Sequence, residues 1–337
     1  MTEYAKPSNT VRSLRWAEAK PDPVPDPVFL LSPPLSPSSF VGAMLGQHPR
    51  MYAVPETHLF LADAVSDWWE ICVNSSFDMA HGLLRAVAQL YFGEQTEATV
   101  QLAGAWLRRR LPFTTGYVLE LLGEKVSPRM IVEKSPSIVF QVGSLQRAQR
   151  MFPQSRFIHL VQHPQAYCRA VLAAVEDAMA HQGRIPPWLR QLACFSASEA
   201  DEFSQEHFEF DPQQAWRVLN NNICEFLETM PQAQTLRVRV EDVVTSQDST
   251  LGAIAEWLEL RADDDAIEAM RHPERSPYAC FGPVGARYGD NPLFLRSPIL
   301  AAPPGDTDSL DAPLSWRQEG DGLLPEVRAI ARQFGYR

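Results

Sequence analysis

The chain has 337 residues, 45% hydrophobic and 21% charged, which supplies a buried core and excludes a disordered chain. Lys plus Arg number 30 against 41 Asp plus Glu, and the resulting formal net charge of −11 excludes a general nucleic-acid binder unless cations are gathered locally. Five cysteines (Cys72, Cys168, Cys194, Cys224 and Cys280) without a C-x-x-C pair argue against a zinc ribbon or a disulfide framework and for reduced thiols. No apolar run reaches the roughly eighteen residues of a membrane span. The polar start MTEYAKPSNTVRSLRWAEAK lacks the apolar middle of a signal peptide. The expectation is a soluble cytoplasmic protein with neither a membrane nor a nucleic acid as partner.

Residues 1–26 form an extended Pro-rich lead-in that runs into PDPVPDP, and 27–337 read as one domain. Val28–Ser32 (VFLLS) is a short continuous apolar run, as in a strand buried on both faces. A turn (PPLSPSS) leads into a predicted helix at Phe40–Gly46, and Tyr52–Val54 reads as a second short strand. Residues 59–123 carry a helical pattern in two or three segments, among them ADAVSDWWEICV and VQLAGAWLRRRL. Arg129–Glu133 and Arg156–Val161 (RMIVE, RFIHLV) read as buried strands with a helix over 139–151 between them. Helices are predicted over 165–181 and 213–230. The Pro- and acid-rich stretch 182–212 between them forms most of a cap expected over about 176–215. Leu236–Val240 is a further strand, 249–259 a helix, 271–317 irregular, and 323–334 a last helix. Strands alternating with helices give an α/β fold with a parallel central sheet. Its ligand crevice lies beyond the carboxyl ends of the strands, where Ser32–Ser39, Lys134–Ser135 and Gln162–Gln165 gather.

Four segments occur in an order that resembles one family. They are VFLLSPPLSPSSFVGAML with HPRMYAVPETHLF, VEKSP at 132–136, FPQSRFIHLVQHPQAYCRA at 152–170, and LRVRVEDVVTSQDSTLGAIAEWLEL at 236–260. Together they resemble sulfotransferases that use 3′-phosphoadenosine-5′-phosphosulfate (PAPS), in particular the sulfotransferase domains of olefin-forming polyketide synthases. Those domains sulfonate a β-hydroxyl on an acyl chain held by a carrier protein. The segment YACFGPVGARYGDNPLF is similar to the loop that closes over the nucleotide. The resemblance implies a P-loop-type central parallel sheet flanked by helices, with a helical cap.

It also implies a nucleotide site that is degenerate here. The family's P-R-S-G-S-T or P-K-S-G-T-T loop wraps the 5′-phosphosulfate with backbone N–H groups. This chain reads Pro34-Leu35-Ser36-Pro37-Ser38-Ser39, with Leu35 in place of the cation and Pro37 in place of the glycine. The family's V-R-H-P with a serine eight residues after the arginine becomes Gln162 and Ala170. Ser36, Ser38, Ser39, Gln162, Ala170 and Arg287 are thus the nucleotide-site positions, with Arg169, Arg287 and Arg296 as candidate substitutes for the lost cations. On the acceptor side, Glu56 of VPETHL matches the family's general base, with His58 on the same side if the segment is extended. Lys134 matches a family lysine near the transferring group.

The implied function is a family member acting on a hydroxylated or acyl natural-product intermediate, small or bound to an acyl carrier protein. It would do so by PAPS-independent acid/base chemistry (elimination, cyclisation or acyl transfer) on Glu56, His58 and Lys134, without a cofactor or a metal. Two alternatives stand beside it: a working PAPS-dependent enzyme with rebuilt phosphate contacts, and a catalytically silent binding scaffold. Plainer readings apply to other residues. Lys134 forms a structural ion pair with Glu133 or another carboxylate, His163 and Pro164 end a strand, and Glu241-Asp242 orients the segment that follows. Arg108-Arg109-Arg110 is a solvated helix face or a landing patch for an acidic carrier. Trp68, Trp69, Phe113, Trp188, Phe208 and Phe210 are core residues or walls of an acyl pocket.

Overall fold

The computed structural model describes residues 24–75, 77–182, 189, 190, 192, 211–300, 309–317 and 321–337. Most of the cap expected over 176–215 lies outside the described residues, with Trp188, Phe208 and Phe210, as do residues 1–23 of the lead-in.

The apolar runs become five strands: β1 Val28–Leu31, β2 Met51–Ala53, β3 Met130–Glu133, β4 Arg156–Val161 and β5 Thr235–Arg239. They form one sheet in the order β2-β3-β1-β4-β5, and every pairing is parallel. In register, Phe29 of β1 lies beside Glu133 of β3 and Phe157 of β4. The rings of Phe29 and Phe157 stack with centroids 5.2 Å apart, and Phe60 meets Phe29 edge-on at 5.2 Å.

Between β1 and β2 runs α1 (Ser38–Gly46). The stretch 59–126 holds four α-helices, not two or three: α2 Val65–Ser75, α3 His81–Phe92, α4 Glu97–Arg108 and α5 Thr115–Val126. The breaks are chemical. Gly93 takes φ +86° and its N–H closes the last turn of α3 on Gln89 O. Thr96 and Thr99 then form a reciprocal capping box at the start of α4, and the Thr114 side chain caps α5.

Beyond β3, the predicted helix over 139–151 divides into a 3₁₀ turn at Pro136–Phe140 and α6 Val142–Met151. Further helices among the described residues are α7 Pro164–Gln182, α8 Pro212–Glu228, α9 Val240–Thr245, α10 Gln247–Trp257, α11 Asp264–Met270, α12 Pro292–Arg296 and α13 Pro325–Gln333. The short α9 and α11 were not foreseen, and α12 interrupts a stretch expected to be irregular.

Strand alternation sorts the core into two layers. Phe29, Leu31, Ile131, Phe157 and Val161 face α3, α5, α6 and α8. Val28, Leu30, Val132, Ile158 and Leu160 face α1 and α10. Among the described residues no helix is long and apolar enough to cross a membrane.

Candidate functional site

Three adjacent strands end on the same kind of residue. Ser32 follows β1, Lys134 follows β3 and Gln162 follows β4, and alternation puts all three on the α1 side, in phase with Leu30, Val132 and Leu160. Each is at most 8% exposed. The aliphatic stem of Lys134 lies across α1, where a Cβ on Gly42 would come within 2.5 Å of Lys134 Cδ. α1 therefore runs close over the strand ends only because position 42 has no side chain.

The loop that enters α1 is bonded to itself. Ser36 N–H donates to Pro33 O at 3.2 Å and Ser38 N–H to Ser36 O at 2.8 Å, while Pro37 has no N–H and offers α1 no side-chain cap. Leu35 sits at φ +69°, the third position of the turn Pro33–Ser36, a conformation that favours glycine. Ser39 Oγ accepts from Asn291 N–H at 3.4 Å. Ser32 Oγ, Ser36 Oγ and Gln162 Oε1 are buried without a hydrogen-bond partner among the described residues. Ala170 lies half-buried on α7. Arg169 donates to Gln165 Oε1 at 3.3 Å. Arg287 is exposed, its guanidinium 5.4 Å from the Phe281 ring centroid. Phosphosulfate needs cations and free N–H donors here; Leu35, Pro37, Gln162 and Ala170 carry no cation, Pro37 has no N–H, and Ser36 and Ser38 N–H are taken within the loop, a poor match to that group.

Beyond β2, Glu56 and His58 stand on one rim. Glu56 keeps 18% of its side chain exposed, and its carboxyl lies 3.7 Å from His58 Nε2, just past hydrogen-bond reach. The segment is not extended at His58, which takes φ +53°. The side chain is nevertheless brought to the Glu56 side, because His58 N–H donates to Ser135 Oγ at 2.9 Å and His58 Nδ1 lies 2.8 Å from Ser137 Oγ. Burial pushes the Glu56 carboxyl up to about 8, with Lys134 opposing and Asp290 and Glu133 adding to the rise. Burial, helped by Lys134, brings the His58 imidazole down to about 4, so it is neutral at physiological pH.

Lys134 pairs with Asp290, not with Glu133, and both side chains are 2% exposed. Glu133 faces the other layer, where its carboxylate accepts from Thr57 Oγ1 at 3.0 Å and from Ser135 N–H and Oγ. Asp290 belongs to a loop clamped by a buried arginine of α3. Arg85 is fully buried and donates to Gln95 Oε1 at 2.6 Å, Tyr288 O at 3.0 Å and Tyr278 O at 3.4 Å. Glu56 is fixed to the same loop, its N–H donating to Gly289 O at 2.8 Å. A Cβ on Gly82 would fall 2.0 Å from Glu56 O, so α3, the Glu56 segment and the loop meet backbone to backbone.

Asp290, Arg85 and Ser137 were not picked out from sequence. Asp290 lies 156 residues from Lys134, and only the three-dimensional pairing links them. His163 and Glu241 form a structural post: Glu241 accepts from His163 N–H at 2.9 Å and from Tyr336 O–H at 2.7 Å. Trp68 is fully buried core, whereas Phe113 is 46% exposed against Tyr117. Arg110 covers Trp106 with its guanidinium at 3.6 Å. Among the described residues no group of His, Cys, Asp and Glu could hold a metal ion.

A sulfotransferase family model matches residues 27–264, well over half the chain. The chain belongs to the sulfotransferase family. Two solved structures share its fold. The sulfotransferase domain from the curacin biosynthetic pathway superposes with a TM-score of 0.68 at 22% identity, over 93% of this chain and 98% of that one. The sulfotransferase domain of the olefin synthase from Synechococcus PCC 7002 gives 0.64 at 22% identity, over 95% and 98%. A search of curated proteins finds no match.

Proposed function

We propose that this sulfotransferase-family protein has given up the phosphosulfate nucleotide and performs proton transfer on a hydroxylated or acyl natural-product intermediate, with Glu56 as the base. The observation that carries this reading is the contrast between the two sides of the site. The nucleotide side has Leu35, Pro37, Gln162 and Ala170 where the family places its phosphate contacts, and the Ser36 and Ser38 N–H groups of its loop are bonded within the loop. The acceptor side keeps a carboxyl raised to about 8 beside a neutral imidazole.

A base works best with a pKa near the working pH, and burial supplies that for Glu56. Its carboxylate form takes a proton from a hydroxyl or an acidic C–H that reaches the rim. His58 is held by Ser135 and Ser137 with Nε2 facing Glu56 at 3.7 Å, a neutral wall to that carboxyl. Lys134 carries the charge that opposes burial at Glu56, and Asp290 holds the ammonium in place. Elimination, cyclisation and acyl transfer each need this proton transfer, and none of them needs the nucleotide. The two structural neighbours come from biosynthetic systems, one of them an olefin synthase, which supports an acyl substrate and an acyl carrier protein as its bearer.

The test is to incubate the full chain with β-hydroxyacyl pantetheine thioesters, with and without PAPS, and follow the products by mass spectrometry. The reading expects a dehydrated, cyclised or transferred product that forms without PAPS. It also expects Glu56→Gln to slow that reaction by about 10²–10⁴-fold, the usual loss on removing a general base. A sulfonated product that appears only with PAPS overturns the proposal, and full activity in Glu56→Gln removes Glu56 from the chemistry.

A further inference from the structure

The polar groups at the N-terminus of α1 are neutral, and three of them are unsatisfied. Ser32 Oγ, Ser36 Oγ and Gln162 Oε1 are buried without a partner among the described residues. Their residues are 2%, 2% and 8% exposed. Ser32 and Gln162 come from adjacent strand ends on the α1 face, and Ser36 from the turn directly before that helix. A buried hydroxyl or amide oxygen left unpaired costs about 1–3 kcal/mol, and folded proteins retain such groups where function uses them.

The charges around this spot cancel. Lys134 brings one ammonium to the same face, and Asp290 neutralises it. The carboxyls of Glu56 and Glu133 are near enough to feel Lys134 electrostatically. An ammonium already paired with a buried carboxylate offers an anion little to bind. The helix terminus by itself would favour negative charge. Here Ser36 and Ser38 N–H are spent within the loop and are not available to an anion.

We propose that the N-terminus of α1 is a binding site for an uncharged group carrying hydroxyl or amide functions, and that Asp290 sets this selectivity by cancelling Lys134. The inference rests on the nucleotide-free reading and names the kind of substrate group that takes the vacated place. Hydroxyl and amide functions satisfy Ser32, Ser36 and Gln162 in either donor–acceptor sense, which a fully ionised phosphate does not.

The test uses the full chain and a matched pair of probes, pantetheine (uncharged, with two hydroxyls and two amide groups) and its phosphorylated form, measured by ligand-observed NMR titration. The wild type should bind pantetheine at least about tenfold more tightly than phosphopantetheine, the effect of one or two hydrogen bonds gained without charge repulsion. A Ser32→Ala/Ser36→Ala/Gln162→Leu variant should lose about tenfold in pantetheine affinity. Asp290→Asn leaves Lys134 uncancelled and should reverse the preference toward the phosphorylated probe. An unpaired buried ammonium destabilises, so the Asp290→Asn/Lys134→Met pair, which removes both charges, provides the second variant and should keep the wild-type preference.

Equal or tighter binding of phosphopantetheine by the wild type overturns the proposal. So does pantetheine binding that the triple variant leaves intact, or no pantetheine binding at all. If the wild type also binds 3′-phosphoadenosine-5′-phosphate, the nucleotide-free reading fails as well; if neither ligand binds, only the present inference falls.

Discussion

Replacing Glu56 by Gln should stabilise the protein, and only on the alkaline side. The folded carboxyl sits at about 8 because burial penalises its ionised form, against an ordinary value of 4.5. Below pH 4 both states hold the proton, and the residue costs nothing. Between about pH 4.5 and 8 the unfolded chain ionises while the folded chain keeps its proton, so stability falls by about 1.4 kcal/mol per pH unit. Above 8 the full cost is in place, about 5 kcal/mol from the difference in pKa. The side chain is 18% exposed, and water reaching it reduces the effect, so about 2–4 kcal/mol is expected. Glutamine keeps the shape and cannot ionise. Urea unfolding of wild type and Glu56→Gln at pH 4 and pH 8.5 reads this directly. The two should match at pH 4, and the variant should lead by about 2–4 kcal/mol at pH 8.5, or roughly 4–8 °C in Tm. Parallel stability curves across that range would refute the buried, proton-holding Glu56.

The pH dependence of turnover follows from the same group: a step that uses the Glu56 carboxylate should rise from pH 6 to 9 with an apparent pKa of about 8, and a rate that is flat there, or falls, contradicts the assignment. Gly82→Ala should cost more than about 2 kcal/mol and lower turnover, because its Cβ meets Glu56 O at 2.0 Å and must push the rim aside; a neutral effect by thermal melting and activity assay would show the contact is not tight. Reverting Leu35→Arg, Pro37→Gly, Gln162→Arg and Ala170→Ser together should restore measurable affinity for 3′-phosphoadenosine-5′-phosphate, each charged bond adding about 1.5–3 kcal/mol. A folded quadruple variant that still ignores the nucleotide in calorimetry would place the loss in the shape of the cleft.

The sheet was legible because strands buried on both faces leave an unmistakable trace. VFLL, RMIVE and RFIHLV are runs in which solvent imposes little alternation, whereas LRVRV alternates because β5 is a half-exposed edge strand. The helices of 59–126 were harder to divide, because their apolar pattern runs on through the breaks at Gly93–Thr96 and Thr114, where capping decides. The extended segment expected at His58 is not formed; a left-handed backbone tied to Ser135 and Ser137 brings its ring beside Glu56 instead. Asp290 stayed hidden within a loop quoted only for its likeness, since an ion pair across 156 residues leaves no local pattern. Arg85 looked like one more polar position of an amphipathic helix, although it is fully buried. One signal was used only in part, since the strand ends mark the crevice in the sequence but their phase was not read. Ser32, Lys134 and Gln162 each fall one residue past an apolar strand, in phase with its α1-facing side chains.

The central claim is that the nucleotide side of this sulfotransferase-family site no longer serves PAPS. Calorimetric titration of the wild-type chain with the desulfated nucleotide, 3′-phosphoadenosine-5′-phosphate, tests it most directly. Charge-assisted contacts missing at Leu35 and Gln162, at about 1.5–3 kcal/mol each, lower affinity by orders of magnitude, so no binding heat is expected at high micromolar nucleotide. A low-micromolar dissociation constant would contradict the account and return the chain to ordinary sulfonation.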